Sequence, residues 1–214
     1  MNIVVFQTDN RDLDFINYVK SVNLRQSAFL GYTYKFELMD KKYYETIHPA
    51  AAKLFVVHNF IHTNPVDILV FLDTDAWIHN PYKLMLLINK LIKSDKNGCM
   101  SRDPYLEVNT YVNSGSFILK VNDYTKKMYK EIIASMQKNP SHINLWPFDQ
   151  YYFSDFIFKN KENFMIFKPE VLNTPDGLIL RHNWFKNEQM QQDIYDILRN
   201  IDDLKDDSPY PNTT

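Results

Sequence analysis

Short apolar runs alternate along the chain with longer segments whose apolar residues recur every three or four positions. NIVVFQ (2–7) is apolar enough for a short buried strand, and after the polar turn TDNRD the pattern predicts a helix over about 11–24. GYTYKFELM (31–39) alternates and is rich in β-formers, which predicts a second strand. Residues 43–62 read as a helix with Ala50, Ala51 and Ala52 in the middle of the run. Asn64-Pro65 breaks the chain before VDILVFLD, which is apolar on both faces, as a central strand must be. Asn80-Pro81 is a helix start, an N-cap followed by proline at the first helical position. Leu84, Leu87, Ile88 and Leu91 then mark one face of that helix.

GCMSR (98–102) and SFILK (116–120) read as short strands around a polar loop. Tyr124, Met128, Ile132 and Met136 recur every fourth residue and predict another amphipathic helix. A helix over 147–159, the short strands FMIFK and LILRH, and a last helix near 188–200 complete the series. The order βαβαβ followed by a mixed half predicts an α/β layered domain with a partly parallel sheet. Residues 1–200 read as one domain, and the acidic, then Pro-rich stretch at 201–214 as a frayed end or linker.

Composition narrows the function. Hydrophobic residues are 45% and charged ones 23% of 214, enough for a packed core. A net charge of −2, with Lys and Arg scattered, supplies no basic field for nucleic acid, which is excluded as a partner. Cys99 is the only cysteine, so there is no intrachain disulfide and no Cys-based zinc site, and a reducing compartment is expected. The start lacks a signal-peptide pattern, and no stretch approaches the roughly 20 apolar residues of a membrane span. A cytoplasmic protein is therefore expected, or one domain of a longer one. Of the 15 Phe, 14 Tyr and 3 Trp, most are expected in the core, with some free to line a sugar or base pocket.

The four glycines (31, 98, 115 and 177) make neither GxGxxG nor a Walker A loop. A bound diphosphate would have to be neutralised by a metal ion instead of a glycine-rich nest. Asp73 and Asp75 close the apolar run in ILVFLDTDAWIHN, at the carboxyl end of a central strand, where open α/β sheets place ligands. Residues i and i+2 of a strand point the same way, so both carboxylates can face one site. Close carboxylates push one pKa upward unless a cation sits between them, and hard oxygen ligands suit Mg²⁺ or Mn²⁺. The competing reading is that one Asp caps the following turn.

His182, ending LILRH, could complete such a shell, since Mn²⁺ accepts mixed nitrogen and oxygen ligation. Asn113, Ser114 and Gly115 precede a strand and would allow close backbone approach to a ligand, or form a plain turn. Asp149 and Gln150 fall in the first turn of a helix, where Asp also complements the dipole. Lys53, on an apolar helical stretch, either snorkels to solvent or reaches a phosphate.

Taken in order, Ala52-Lys53, Asp73-Thr74-Asp75-Ala76, Asn113-Ser114-Gly115-Ser116-Phe117, Asp149-Gln150 and His182 resemble the motifs of nucleotide-sugar-dependent glycosyltransferases of GT-A fold. They are most similar to glycosyltransferase family 34, the galactosyl-, mannosyl- and xylosyltransferase group, and to small virus-encoded or bacterial members. The resemblance spans about residues 50–185; the late motif is RHNWF in place of His-aromatic-x-Gly. It implies a GT-A-type, Rossmann-like single domain with a mixed, mostly parallel central sheet flanked by helices. It also implies Mn²⁺ (or Mg²⁺) on Asp73, Asp75 and His182, and a donor, UDP-sugar favoured, held by Lys53 and Thr74 with Thr8 and Asp9 at the nucleoside. Asn113, Ser114 and the catalytic candidates Asp149 and Gln150 would face the transferred sugar. A glycan or other hydroxyl would be the acceptor, and the anomeric configuration would be retained. If the gene is viral, the host cytoplasm is the expected location.

Two readings compete. A haloacid-dehalogenase-type phosphatase would use Asp73 as nucleophile, but it wants Thr or Val where Trp77 stands, and a late Gly-Asp pair that the chain lacks. A non-catalytic nucleotide-sugar-binding module is the other.

Overall fold

The computed structural model describes residues 1–11, 13–104 and 110–184. In chain order these form β1 (Ile3–Asp9), α1 (Asp14–Leu30), β2 (Thr33–Leu38), α2 (Pro49–Thr63), β3 (Ile68–Leu72) and β4 (Ala76–Ile78). There follow α3 (Pro81–Ile92), β5 (Gly98–Arg102), β6 (Val112–Lys120), α4 (Asp123–Lys138), α5 (Asp149–Lys159), β7 (Phe164–Phe167), α6 (Pro169–Leu172) and β8 (Leu180–His182). The expected helix near 188–200 and the tail lie outside the described residues.

Six strands make one sheet in the order β2-β1-β3-β6-β5-β7. β1 pairs in parallel with β2 and β3, β5 pairs in parallel with β7, and β6 alone runs antiparallel to its neighbours β3 and β5. The sheet is thus mixed but mostly parallel, as the GT-A-type expectation requires. Because β6 is reversed, its start lies at the edge where β1, β3 and β5 end, with Leu72 opposite Ser116. That edge carries the polar residues discussed below.

Alternation along the strands builds a core on each face. Phe6, Leu69, Phe71, Phe117 and Leu119 pack against apolar residues of α2, α4 and α5. Val5, Val70, Leu72 and Ile118 pack against α3 and the small β4–β8 sheet. All five residues of β3 are buried, the physical reason for its unbroken apolar run. Phe6 stacks on Phe60 with centroids 4.0 Å apart, and Phe71, Phe117 and Phe153 continue a ring ladder at 4.9 and 5.0 Å.

Several boundaries differ from the sequence pattern. α1 continues to Leu30 and stops where Gly31 adopts φ 69, the left-handed conformation that glycine takes without a Cβ penalty. The helix expected over 43–62 begins only at Pro49, after a 3-10 turn at Lys41–Tyr43, and His48 caps it by accepting from the Ala50 N–H at 3.2 Å. Ala50–Ala52 therefore fall in its first turn. The helix expected from Pro147 starts at Asp149, and β6 begins four residues before SFILK. β4 is an element the pattern did not predict: AWI turns back after the aspartates and pairs with β8. Among the described residues no helix is long and apolar enough to cross a membrane.

Ile132 of α4 is 1% exposed, in the core cluster that α4 shares with α2 and α5. Ile132→Ala should cost about 2–4 kcal/mol of unfolding free energy through lost burial and a residual cavity. Urea denaturation measures this directly, and a midpoint unchanged from the parent would contradict the packing described.

Candidate active site

β3 is short and buried, so the chain leaves it at Asp73 with the backbone already fixed. The Asp73 N–H donates to the Gly115 carbonyl at 2.6 Å, and the Ala76 N–H donates to the Asp73 carbonyl at 2.9 Å, closing the DTD turn. A buried polar network supports the turn from below. The Gln7 amide donates to the carbonyls of Asp73 (2.8 Å) and Ala76 (3.2 Å) and accepts from Asn23 (2.9 Å) and the Tyr34 hydroxyl (2.8 Å). Asn23 in turn donates to the Ala76 carbonyl at 3.0 Å and accepts from the Ile78 N–H at 2.9 Å. Interior networks of this kind rigidify a backbone because an unpaired group would be costly.

Asp73, Asp75 and His182 each turn one ligand atom inward, and these atoms lie within 4.8 Å of one another. His182 Nε2 is 3.1 Å from an Asp75 oxygen and 3.9 Å from Asp73. Its Nδ1 faces the Oδ1 of Asn173 at 2.7 Å, an acceptor, so Nδ1 carries the proton and Nε2 is the nitrogen that can coordinate. Asn173 is fully buried at the end of α6. Gly115 makes room for this imidazole: a Cβ there would lie 2.0 Å from His182 Cε1. The close approach that its sequence context suggested is thus to a protein side chain.

Lys53 neutralises the first carboxylate. Its ammonium donates to both Asp73 oxygens, at 2.8 and 3.0 Å, and lies 3.2 Å from Asp149. It is 9% exposed and does not snorkel to solvent. Burial alone would lower the Lys53 pKa, but Asp149 and Asp73 raise it, so the cation persists at neutral pH. Burial pushes Asp73 up to about 6, against the pull of Lys53 and His182. Asp75 is also disfavoured by burial, yet His182 beside it holds its carboxyl below the usual range. Burial opposes charge on His182, and Asp75 outweighs it and raises the imidazole pKa.

Asp9 sits at the end of β1. Thr74 donates to it at 2.6 Å, and Arg11 donates through its backbone N–H and both sides of its guanidinium at 2.9 to 3.1 Å. Burial would raise the Asp9 pKa, but the Arg11 and Thr74 hydrogen bonds hold it below the ordinary value. At the other side, Asn113 accepts from the Gly115 N–H at 2.7 Å, and Gln150 donates to Asp103 at 2.5 Å while facing the Ser114 N–H at 3.4 Å.

The sequence-derived residues Thr8, Asp9, Lys53, Asp73, Thr74, Asp75, Asn113, Ser114, Asp149, Gln150 and His182 all line one cavity of about 700 Å³. That volume falls within the range of small-molecule sites. The sequence reading missed Gln7, Asn23, Arg11, Asp103 and Asn173. Gln7 offered a signal, a polar side chain inside an otherwise apolar strand; Asn173 offered none, because its partner is nine residues away across a turn. The chemistry of the donor set, two carboxylates and an imidazole with a defined tautomer, fits a divalent cation such as Mn²⁺.

No protein-family profile matches the sequence, and no curated protein does either. Solved structures do. A glycosyltransferase involved in glycosylation of the major capsid of PBCV-1 is 12% identical with a TM-score of 0.72, covering 90% of this chain and all of that one. The galactosyltransferase LgtC, solved with donor and acceptor sugar analogues, is 9% identical with a TM-score of 0.62 over 98% of both chains. GlyE of Streptococcus pneumoniae is 12% identical with a TM-score of 0.58, covering all of this chain and 65% of that one. The fold of the chain is that of GT-A glycosyltransferases.

Gly115→Ala should displace His182, and Asn173→Ala should leave its ring unoriented. Each is expected to weaken Mn²⁺ binding about 10- to 100-fold, the usual cost of losing a group that orients a ligand. Titration calorimetry with circular dichroism as a folding control measures this; unchanged affinity in both variants would contradict the arrangement.

Proposed function

We propose that the chain is a metal-dependent glycosyltransferase that moves a sugar from a nucleotide-diphosphate donor, with a UDP-sugar favoured, to a hydroxyl of a glycan or other acceptor. The observation that carries this reading is the convergence of Asp73, Asp75 and His182 at the carboxyl end of β3 in a GT-A fold. The ordered motifs that resemble family 34 support the same assignment. A cytoplasmic setting is proposed with it, in keeping with the single buried cysteine.

Asp73 and Asp75 would hold Mn²⁺ or Mg²⁺ through oxygen and His182 through Nε2. When bound, such an ion supplies Lewis-acid stabilisation of the charge that develops on a leaving diphosphate. Lys53 lies beside Asp73 and provides a second positive charge at the donor phosphates, held in place by Asp149. Thr8 and Asp9 take the nucleoside end, with Asp9 oriented by Thr74 and Arg11. Asn113, Ser114, Asp149 and Gln150 face the transferred sugar and orient its reacting carbon. Retention needs no dedicated base in this scheme: the acceptor hydroxyl adds to the anomeric carbon on the face the phosphate leaves, and its proton passes to that phosphate.

The phosphatase reading finds no comparable support. Trp77 stands buried in β4 where that family wants Thr or Val, and the sequence has no late Gly-Asp pair.

A thermal-shift screen of UDP-, GDP- and dTDP-sugars, with and without Mn²⁺, should show stabilisation by a UDP-sugar only when the metal is present. Asp75→Ala should reduce metal-dependent donor hydrolysis at least a hundredfold. Undiminished turnover in that variant would overturn the assignment.

A further inference from the structure

The loop entering α5 presents two large apolar side chains to solvent. Leu145 is 65% and Trp146 is 59% exposed, and Trp146 is among the residues that line the cavity. The backbone beneath it is fixed. The Phe148 N–H donates to the Leu145 carbonyl at 2.9 Å and the Gln150 N–H to the Pro147 carbonyl at 3.1 Å. His142 Nδ1 approaches the Trp146 carbonyl at 3.3 Å, and the Phe148 ring stacks on His48 with centroids 3.9 Å apart and planes 11° from parallel. An exposed indole on so constrained a loop contributes little to the core and is available to a ligand in the cavity.

The surroundings define the ligand's chemistry. Three and four residues after the indole stand Asp149 and Gln150, both buried and both lining the same cavity, as does Asn113 of β6. The groups suited to phosphate are Lys53, ion-paired to Asp73 and Asp149, and the Asp73–Asp75–His182 cluster. By α5 the exposed indole shares the cavity with the Asn113 and Gln150 amides, the Asp149 carboxylate and the His48 imidazole, so a ligand on it would lie beside the transferred sugar. A pyranose matches this: one face presents C–H groups, and its perimeter carries hydroxyls that pair with such groups. A Ser or Thr side chain presents no such face. We propose that Trp146 is the stacking platform for a sugar ring of the acceptor, so that the acceptor is a carbohydrate and Trp146 determines its binding.

This inference rests on the glycosyl-transfer reading above, and the two fail differently. The full chain is assayed with Mn²⁺ and the UDP-sugar that stabilises it most, against methyl glycosides, lactose and maltose as acceptor probes and a Ser/Thr peptide as control. Transfer to at least one glycoside is expected. In Trp146→Ala the apparent KM for that glycoside should rise at least tenfold, while the donor Kd, titrated without acceptor, stays within twofold. Trp146→Tyr should recover most of the loss, which a merely structural role would not reproduce. An unchanged acceptor KM in Trp146→Ala, an equal loss of donor affinity, or transfer to the peptide alone overturns the platform while leaving glycosyl transfer intact. Absence of any metal-dependent donor binding or hydrolysis overturns glycosyl transfer itself, and the platform with it.

Discussion

Two carboxylates at the mouth of a buried strand repel each other, and the surroundings of β3 are arranged around that repulsion. The ligand atoms of Asp73 and Asp75 are no more than 4.8 Å apart. At an effective dielectric of about 20 this costs on the order of 3 kcal/mol. The Lys53 ammonium sits against one carboxylate and the His182 imidazole against the other, so each aspartate has its own partner, and the two partners come from distant parts of the chain, α2 and β8. A site that carries its own compensation can keep two acidic groups together and still present ligands to a cation.

Holding that geometry requires both polar and steric devices. Gln7 and Asn23 fix the carbonyls of the turn, so the direction of the aspartates is set by the sheet and α1 rather than by a loop. Gly115 leaves the volume that the imidazole fills, and Asn173 fixes its tautomer. The reversed strand β6 is central to this, because it brings Gly115 to the edge where Asp73 emerges. The topology therefore has a direct chemical consequence.

Much of this was legible in the sequence, for physical reasons. The apolar run of β3 announces burial on both faces, and the spacing of Asp73 and Asp75 announces a shared direction. Helix faces such as Tyr124, Met128, Ile132 and Met136 are strongly periodic and were found in place. What was not legible depended on contacts distant in sequence. β4 exists because it can pair with β8 about a hundred residues later, and α2 starts late because His48, an unusual cap, ends the preceding turn. Lys53 does not snorkel to solvent, and its bridge between Asp73 and Asp149, set by packing of α2 beside α5, could not be read from the apolar stretch around it. Asp103 and Asn173 carry no local motif and become meaningful only through Gln150 and His182.

The central claim is that Asp73, Asp75 and His182 act together as one metal site, and pulsed electron paramagnetic resonance of the Mn²⁺-loaded chain tests it most directly. The account predicts a modulation from one imidazole nitrogen directly bound to the ion, lost in His182→Ala while weaker oxygen-only binding survives. Mn²⁺ bound with no nitrogen coupling, or coupling that persists without His182, would contradict it.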